Sequence, residues 1–372
     1  MARWTWPAYV GVIGGAVLFL AIFLPVVAWQ YRRYGRLSGR RIVAVAAVTT
    51  YVVGLVAYTL LPLPTGDLAR WCAEHAAGHN LRPFAFVSDI RTGTQGLGLR
   101  GAATSFVVLQ VVLNVVLFVP WGLAVRVLAR RGVLVATASG LVASVLVEAT
   151  QYTGVLGLIP CSYRVADVDD VLMNTLGALL GALVAPLVLR WVPSVHALEA
   201  ARGTPRPVTA RRRWTGMLID AVLVTTTAVV LQVLWRVVLL VADRDLDTGA
   251  DAAAVVASLV AWLAVLVAPA CLGDGASWGQ RVVWLVPRWD GRRGSLGRRL
   301  ARASVVGGAW WVLTSLGDVP AVPDAVGGPA GTVGGLLAVV AVLAVPATRG
   351  RRGLSCAWTG ADLVDARASV PA

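Results

Sequence analysis

The stretch Glu148–Gly181, EATQYTGVLGLIPCSYRVADVDDVLMNTLGALLG, decides how this chain is read. Its second half spaces Asp167, Asp170, Asn174, Gly177 and Gly181 by 3, 4, 3 and 4 residues. At about 3.6 residues per turn that spacing predicts one helix with all of these positions on a single stripe. The intervening residues are mostly apolar, which puts the helix in lipid. There a polar stripe is costly: an Asp or Arg at a helix centre costs about 2.5–3.5 kcal/mol, so intramembrane carboxylates mark function. Upstream, Glu148 and Gln151 stand one turn apart at the end of another apolar run, and Arg164 lies in the connection.

Composition extends this reading to the whole chain. Of its 372 residues 58% are hydrophobic and 14% charged, against about 25% charged in soluble domains. Apolar runs recur at 9–29, 42–62, 105–128, 133–151, 168–190, 215–241, 252–272, 303–317 and 331–346, most of them near the 20 or so residues that cross a bilayer. The first is too long for a signal peptide and ends in the interfacial anchor Trp29-Gln30-Tyr31-Arg32-Arg33. The expectation is an all-α, polytopic integral membrane protein with about nine transmembrane helices in two bundles.

All 33 basic residues are Arg, a bias that suggests a high-GC bacterial source. The net charge of +14 is not arranged as a nucleic-acid patch. The arginines fall in alternate loops, 31–41, 126–131, 190–213, 281–302 and 349–352, with loop 63–104 the noisy exception. By the positive-inside rule this predicts a multi-pass plasma-membrane protein with its N terminus outside and its C terminus cytoplasmic. The expected partner is the lipid bilayer, with no nucleic acid and no preference for an oligomeric state. That topology puts Cys72 and Cys161 in outer loops and Cys271 and Cys356 on the cytoplasmic side. Disulfides persist only in oxidising compartments, so Cys72–Cys161 is the one candidate bridge; two free thiols are the alternative. The polar, proline-bearing stretch 196–213 reads as a cytoplasmic basic linker between a membrane domain at 1–195 and another at 214–372.

In the first domain, Glu148, Asp167 and Asp170 set three carboxylates against one Arg164. Buried charges want partners, so the cluster is expected to bind a cation, retain a proton or stay wet. Asp169, about 100° round the helix from Asp170, is expected to face headgroups or water. Asn114 stands mid-span and should bond a neighbouring helix, while Pro120 should kink its own. Gly177-x-x-x-Gly181 reads as a close-packing face. No Walker loop, CxxC pair, helix-borne metal-ligand histidine pair or Gly-x-Ser-x-Gly elbow is present. His75 and His79, beside Glu74, are four residues apart but make a weak metal candidate, so no metal and no cofactor is expected.

These motifs resemble the VanZ-like family. The residues that carry the likeness are Asn80-Leu-Arg-Pro83-Phe84, Asn114-x-x-x-Phe118-x-Pro120-x-Gly122, Glu148-Ala-Thr-Gln151 and Arg164-x-x-Asp167-x-x-Asp170-x-x-x-Asn174-x-x-Gly177, across about residues 10–190. The resemblance implies a bacterial polytopic protein with an outward-facing site acting on the cell envelope. It also implies tolerance to teicoplanin-type lipoglycopeptides, with a cell-wall precursor or the lipoglycopeptide itself as partner. The site residues are then Glu148, Gln151, Arg164, Asp167, Asp170, Asn174 and Asn114. The second half, about 208–366, resembles the RDD family through Arg213 and Asp220, which are two turns apart. It departs at Leu354-Ser355-Cys356-Ala357, where that family carries a His-Asp pair.

Two other functions fit the residues. An ion- or proton-coupled carrier fits the carboxylate excess, although no matched broken helices are visible. An intramembrane enzyme on a lipid-linked phosphate would use Glu148 as acid or base and Arg164 as anion clamp. The balance of signals favours a non-enzyme.

Overall fold

The computed structural model describes residues 2–319 and 322–368. The chain is mostly helical, and among the described residues eight helices are long and apolar enough to cross a membrane. It is an all-α, multi-pass membrane protein. Residues 1–23 with 38–194 form one compact unit, and 24–37 with 195–372 form the other. The first helix, α1 (Ala2–Tyr34), contributes to both.

The first unit is built on α2 (Gly39–Leu60), the short α3 (Leu68–His75) and α4 (Ala85–Gly93), and the long α5 (Phe106–Val127), α6 (Val133–Tyr152) and α7 (Val168–Leu189). Its tightest seam joins α5 to α7. A Cβ on Gly177 would run into the Val115 carbonyl oxygen, one on Gly181 into that of Val119, and one on Gly122 into that of Ala178. Glycine is thus required on both sides, as in small-residue packing between membrane helices, where backbones approach closely because lipid supplies no hydrophobic drive. The Gly177/Gly181 pair therefore serves as a packing face. Outward-facing residues such as Val112, Val116, Leu146, Leu183 and Leu187 remain exposed to whatever surrounds the bundle, and lipid is the medium that accepts them.

Two ties close one end of this unit. Strands β1 (His79–Asn80) and β2 (Ala166–Asp167) pair in parallel, with Asn80 opposite Asp167. Cys72 of α3 is disulfide-bonded to Cys161, 89 residues away.

The second unit begins, after the end of α1, with α8 (Val195–Ala200), whose Val195 and Leu198 pack on Tyr34. Part of the 196–213 stretch is therefore helical and anchored. The long helices are α9 (Ala210–Val241), α10 (Ala250–Cys271, with a π turn at Leu263–Val267) and α14 (Asp324–Ala347). Between α10 and α14 come α11 (Trp278–Val282), α12 (Leu296–Val305) and α13 (Gly307–Ser315). The sequence leads one to expect a continuous span at 303–317. Instead the chain breaks at Val306, just before Gly307-Gly308, into helices of 10 and 9 residues, and at about 1.5 Å per residue neither reaches across a hydrocarbon core. Together they still carry the chain along the bundle. Arg299 and Arg302 donate to the Gly273 and Gly275 carbonyls beyond the end of α10, Trp311 reaches Ser258 within α10, and Gly317 packs on Gly327 near the start of α14. Eight continuous helices and one broken passage replace nine uniform spans.

A small cap closes the end where α9 begins and α10 and α14 finish. Strand β3 (Leu285–Arg288) pairs antiparallel with β4 (Asp362–Asp365), following α15 (Gly353–Trp358). Trp289 packs there with Cys356, Ala361 and Leu363. Asp365 anchors the cap, taking ion pairs from Arg212 at 2.8 Å and Arg367 at 2.7 Å. Burial alone would raise its carboxyl. The Arg367 side chain and backbone N–H, the Arg206 N–H and the Arg212 charge outweigh burial and hold it well below the usual range.

Candidate functional site

The carboxylate-bearing residues of the first unit meet where α6 ends and α7 begins. Asp167 is the N-cap of α7: its Oδ1 accepts the Asp169 N–H at 2.8 Å, satisfying one of the free donors of the first turn. The Asp167 N–H donates in turn to Glu148 Oε2 at 3.0 Å, which joins α7 to the last turns of α6. The Asn80 amide donates to both Asp167 oxygens, at 3.3 and 3.2 Å, so the β1–β2 pairing delivers a side chain as well as a backbone contact.

One turn deeper, the Asn114 amide of α5 donates to Asp170 Oδ1. A further turn down, Asn174 donates to Ser144 Oγ of α6 at 2.9 Å, both side chains being buried, and the Asn174 carbonyl oxygen finds no partner among the described residues. The stripe predicted to face one way is therefore shared between two neighbours. Asp170, Gly177 and Gly181 address α5, and Asn174 addresses α6. Gln151 leaves the cluster altogether and donates to the Thr59 carbonyl of α2 at 2.7 Å.

Arg164 does not pair with the carboxylates. Its guanidinium donates to the Leu61 carbonyl at 2.7 Å and to that of Tyr58 at 3.5 Å, at the C-terminal end of α2, where the helix dipole favours a cation. Among the described residues no carboxylate of this cluster forms an ion pair within 4 Å. Each of the four carboxylates is instead held by neutral donors. Beside Arg164, burial pushes the Tyr163 phenol up against the opposing pull of that guanidinium, and its hydroxyl donates to Leu60 O at 3.3 Å.

Asp169 is the residue that sequence reasoning misplaced. It does not face headgroups or water: it is only 4% exposed. Its two oxygens take the N–H groups of Phe84 at 2.6 Å and Phe86 at 2.9 Å, which open α4. It acts as a helix cap supplied from 85 residues away, and it explains why Phe84 can hold a left-handed φ of 65°. The available signal was the paired Asn80…Phe84 and Asp167…Asp169 motifs, two polar elements that each lacked a partner. Ser144, one turn before Glu148 on the same face, and Thr59 were also missed.

The remaining assignments fall in the second unit or among the loops. Arg213 and Asp220 are both buried on α9, yet Asp220 accepts from Ser277 Oγ at 2.6 Å and the Gly279 N–H at 2.7 Å rather than from Arg213. His75 stacks on Trp71 and His79 contacts Tyr152 edge-on. Among the described residues no group of three or more His, Cys, Asp or Glu side chains is placed to hold a metal.

Chemically, the cluster is an acidic, hydrogen-bonded group with no ion pair within 4 Å among the described residues, Arg164 reaching Glu148 only through its charge at longer range, and it is continued into the helices by neutral amides and a hydroxyl. No curated protein and no solved structure matches the chain. Residues 48–189, which hold every member of this cluster, match the VanZ/LLP1 family model, so this part of the chain is VanZ-like.

Proposed function

We propose that the cluster is a binding site at the outer face of the membrane, through which the protein acts on the cell envelope and confers tolerance to teicoplanin-type lipoglycopeptides. The observation that carries this reading is that Glu148, Asp167 and Asp170 converge inside the family-matched region with no basic side chain within 4 Å of them among the described residues. Carboxylates already positioned by neutral donors suit a cationic or amine-rich group of a cell-wall precursor or of the drug. On this reading the site acts by binding, with Asn80, Asn114 and Asn174 orienting the acids.

The topology belongs to the same proposal. The N terminus lies outside and the C terminus in the cytoplasm of a bacterial plasma membrane. Residues 1–195 form the acting domain, 196–213 a basic connection, and 214–372 an accessory RDD-like domain. The Cys72–Cys161 bridge supports placing this end of the first unit in an oxidising compartment.

The test is the inhibitory concentration of teicoplanin and dalbavancin for a host lacking the gene. The complements are wild type, Asp170→Asn, Glu148→Gln and a truncation ending near Leu198, with membrane levels matched by blot. Tolerance from wild type and truncation, lost in both carboxylate variants, is the expected result. No difference between wild type and empty host ends the lipoglycopeptide reading.

One observation favours a second reading, an ion- or proton-coupled carrier. Polar side chains continue inward from the Asp170–Asn114 pair to the Asn174–Ser144 pair one turn deeper, where the Asn174 carbonyl oxygen has no partner among the described residues; intramembrane carboxylates followed by polar groups mark ion and proton pathways. Flux into proteoliposomes under a pH or sodium gradient, abolished in Asp170→Asn, would select it.

A further inference from the structure

Where the broken passage of the second unit begins, like charges are gathered out of water. Arg213 of α9 and Arg302 of α12 are 6% and 5% exposed, and Asp220 is 8% exposed. The three lie within electrostatic range of one another. Two arginines and one aspartate sum to +1. Asp220 spends its oxygens on Ser277 and on the Gly279 N–H, and neither arginine has a carboxylate within 4 Å among the described residues.

The arginines are also short of acceptors. Arg302 donates to the Gly275 carbonyl at 2.5 Å and otherwise meets only a weak acceptor, the fully buried Cys356 thiol. Among the described residues the Nε atoms of both Arg213 and Arg302 have no hydrogen-bond partner. Gly353, at a φ of +70°, lies beside the Arg213 guanidinium: a Cβ there would stand 3.7 Å from Arg213 Nε. A guanidinium always carries its charge and presents five donors, and a buried charge without compensation costs several kcal/mol.

We propose that Arg213 and Arg302 together hold one small monovalent anion, chloride or dihydrogen phosphate, at the head of the broken passage. One such ion brings the sum to zero and supplies acceptors for the orphaned donors. Broken helices in membrane bundles line sites of this kind. The site is separate from the acidic cluster of the first unit and does not depend on its function.

The experiment measures Tm of the purified, delipidated full-length protein in gluconate. Chloride or phosphate is then titrated in at constant ionic strength. Binding to the folded state alone predicts a Tm that climbs with the logarithm of free anion above its dissociation constant, by about 5 °C at roughly a hundredfold excess, and the two titrations identify the ion. Two variants remove the need for it. Arg302→Met brings the charge to zero, and Cys356→Asp supplies an internal carboxylate beside Arg302. In both the anion dependence is expected to vanish, and Cys356→Asp should match anion-saturated wild type in gluconate. A flat wild-type titration overturns the proposal. So does a Cys356→Asp protein that folds and keeps the wild-type response.

Discussion

Each unit spends one aspartate on a helix that is remote in sequence, and the two settings differ in charge. Asp169 caps α4 through two backbone N–H groups, and Asp220 caps α11 through a backbone N–H and the Ser277 hydroxyl. Around Asp169 the surplus charge is negative and partly exposed. Around Asp220 it is positive and shut away from water. The same local device thus sits in two electrostatic settings. The two proposals rest on that difference: a partly exposed acidic cluster for a cationic group arriving from solution, and a buried net positive charge for a single small anion. Burial decides between them, because an exposed charge can be balanced by solvent and salt while a buried one needs a fixed partner.

The largest expected effect tests whether the first unit depends on its glycine seam as the second depends on its charges. Gly177→Leu drives a side chain into the Val115 carbonyl and should cost more than about 4 kcal/mol, in the range that abolishes assembly. Folded protein recovered in detergent at wild-type yield would show that α5 and α7 can separate cheaply.

Next comes the disulfide. Cys72→Ser removes a closure of 89 residues, worth about 4.6 kcal/mol in chain-entropy terms. Equal melting of oxidised wild type and variant would mean that the β1–β2 end is held by its hydrogen bonds alone. The cap of the second unit supplies the counterpart. Asp365→Asn leaves Arg212 and Arg367 without a counter-charge and should cost about 3 kcal/mol at neutral pH. The folded carboxyl titrates below its unfolded value of about 3.9. Its contribution is therefore complete above pH 4 and is lost as pH falls further, so wild type and variant should converge in acid. A gap that stays constant between pH 7 and pH 3 contradicts the ion-pair account.

Asp169→Ala should cost about 2 kcal/mol, the desolvation of two backbone donors left unpaired. Hydrogen exchange at Phe84 and Phe86 should quicken specifically, and uniform quickening across the unit would assign Asp169 a broader role. The smallest effect is expected at Arg33–Glu199, paired at 2.7 Å but with both side chains more than a third exposed. Glu199→Gln should leave stability almost unchanged, because solvent screens an exposed pair, and a clear drop in a thermal melt would show that pair to be a structural anchor of α8.

Much of the molecule was legible in the residues, and its limits are instructive. Helical period and apolar length carry the membrane helices because both are local properties, readable within a window of about 20 residues. The 303–317 run defeated that reading. Its hydropathy is adequate, but Gly307-Gly308 and the arginines just upstream break it, and only packing against α10 and α14 keeps its direction. The stripe on α7 was readable as a set of residues yet not as a set of partners. A helical face wider than one neighbour is divided by whichever helices pack there, so Asp170 went to Asn114 and Asn174 to Ser144.

Sequence alone determined that this is a helical, multi-pass membrane chain, that its first half carries a carboxylate-rich stripe with glycines for close packing, and that a lone Arg164 accompanies that stripe. These follow from periodicity, composition and the cost of charge in lipid. Tertiary structure alone decided that Arg164 serves the end of α2 rather than the acids, that Asp169 is buried as a distant cap, and that Cys356 stands against Arg302. Such pairings join residues dozens to more than a hundred positions apart. Their free energy depends on which donors and acceptors are left over once the helices have packed, and no local spacing encodes that remainder.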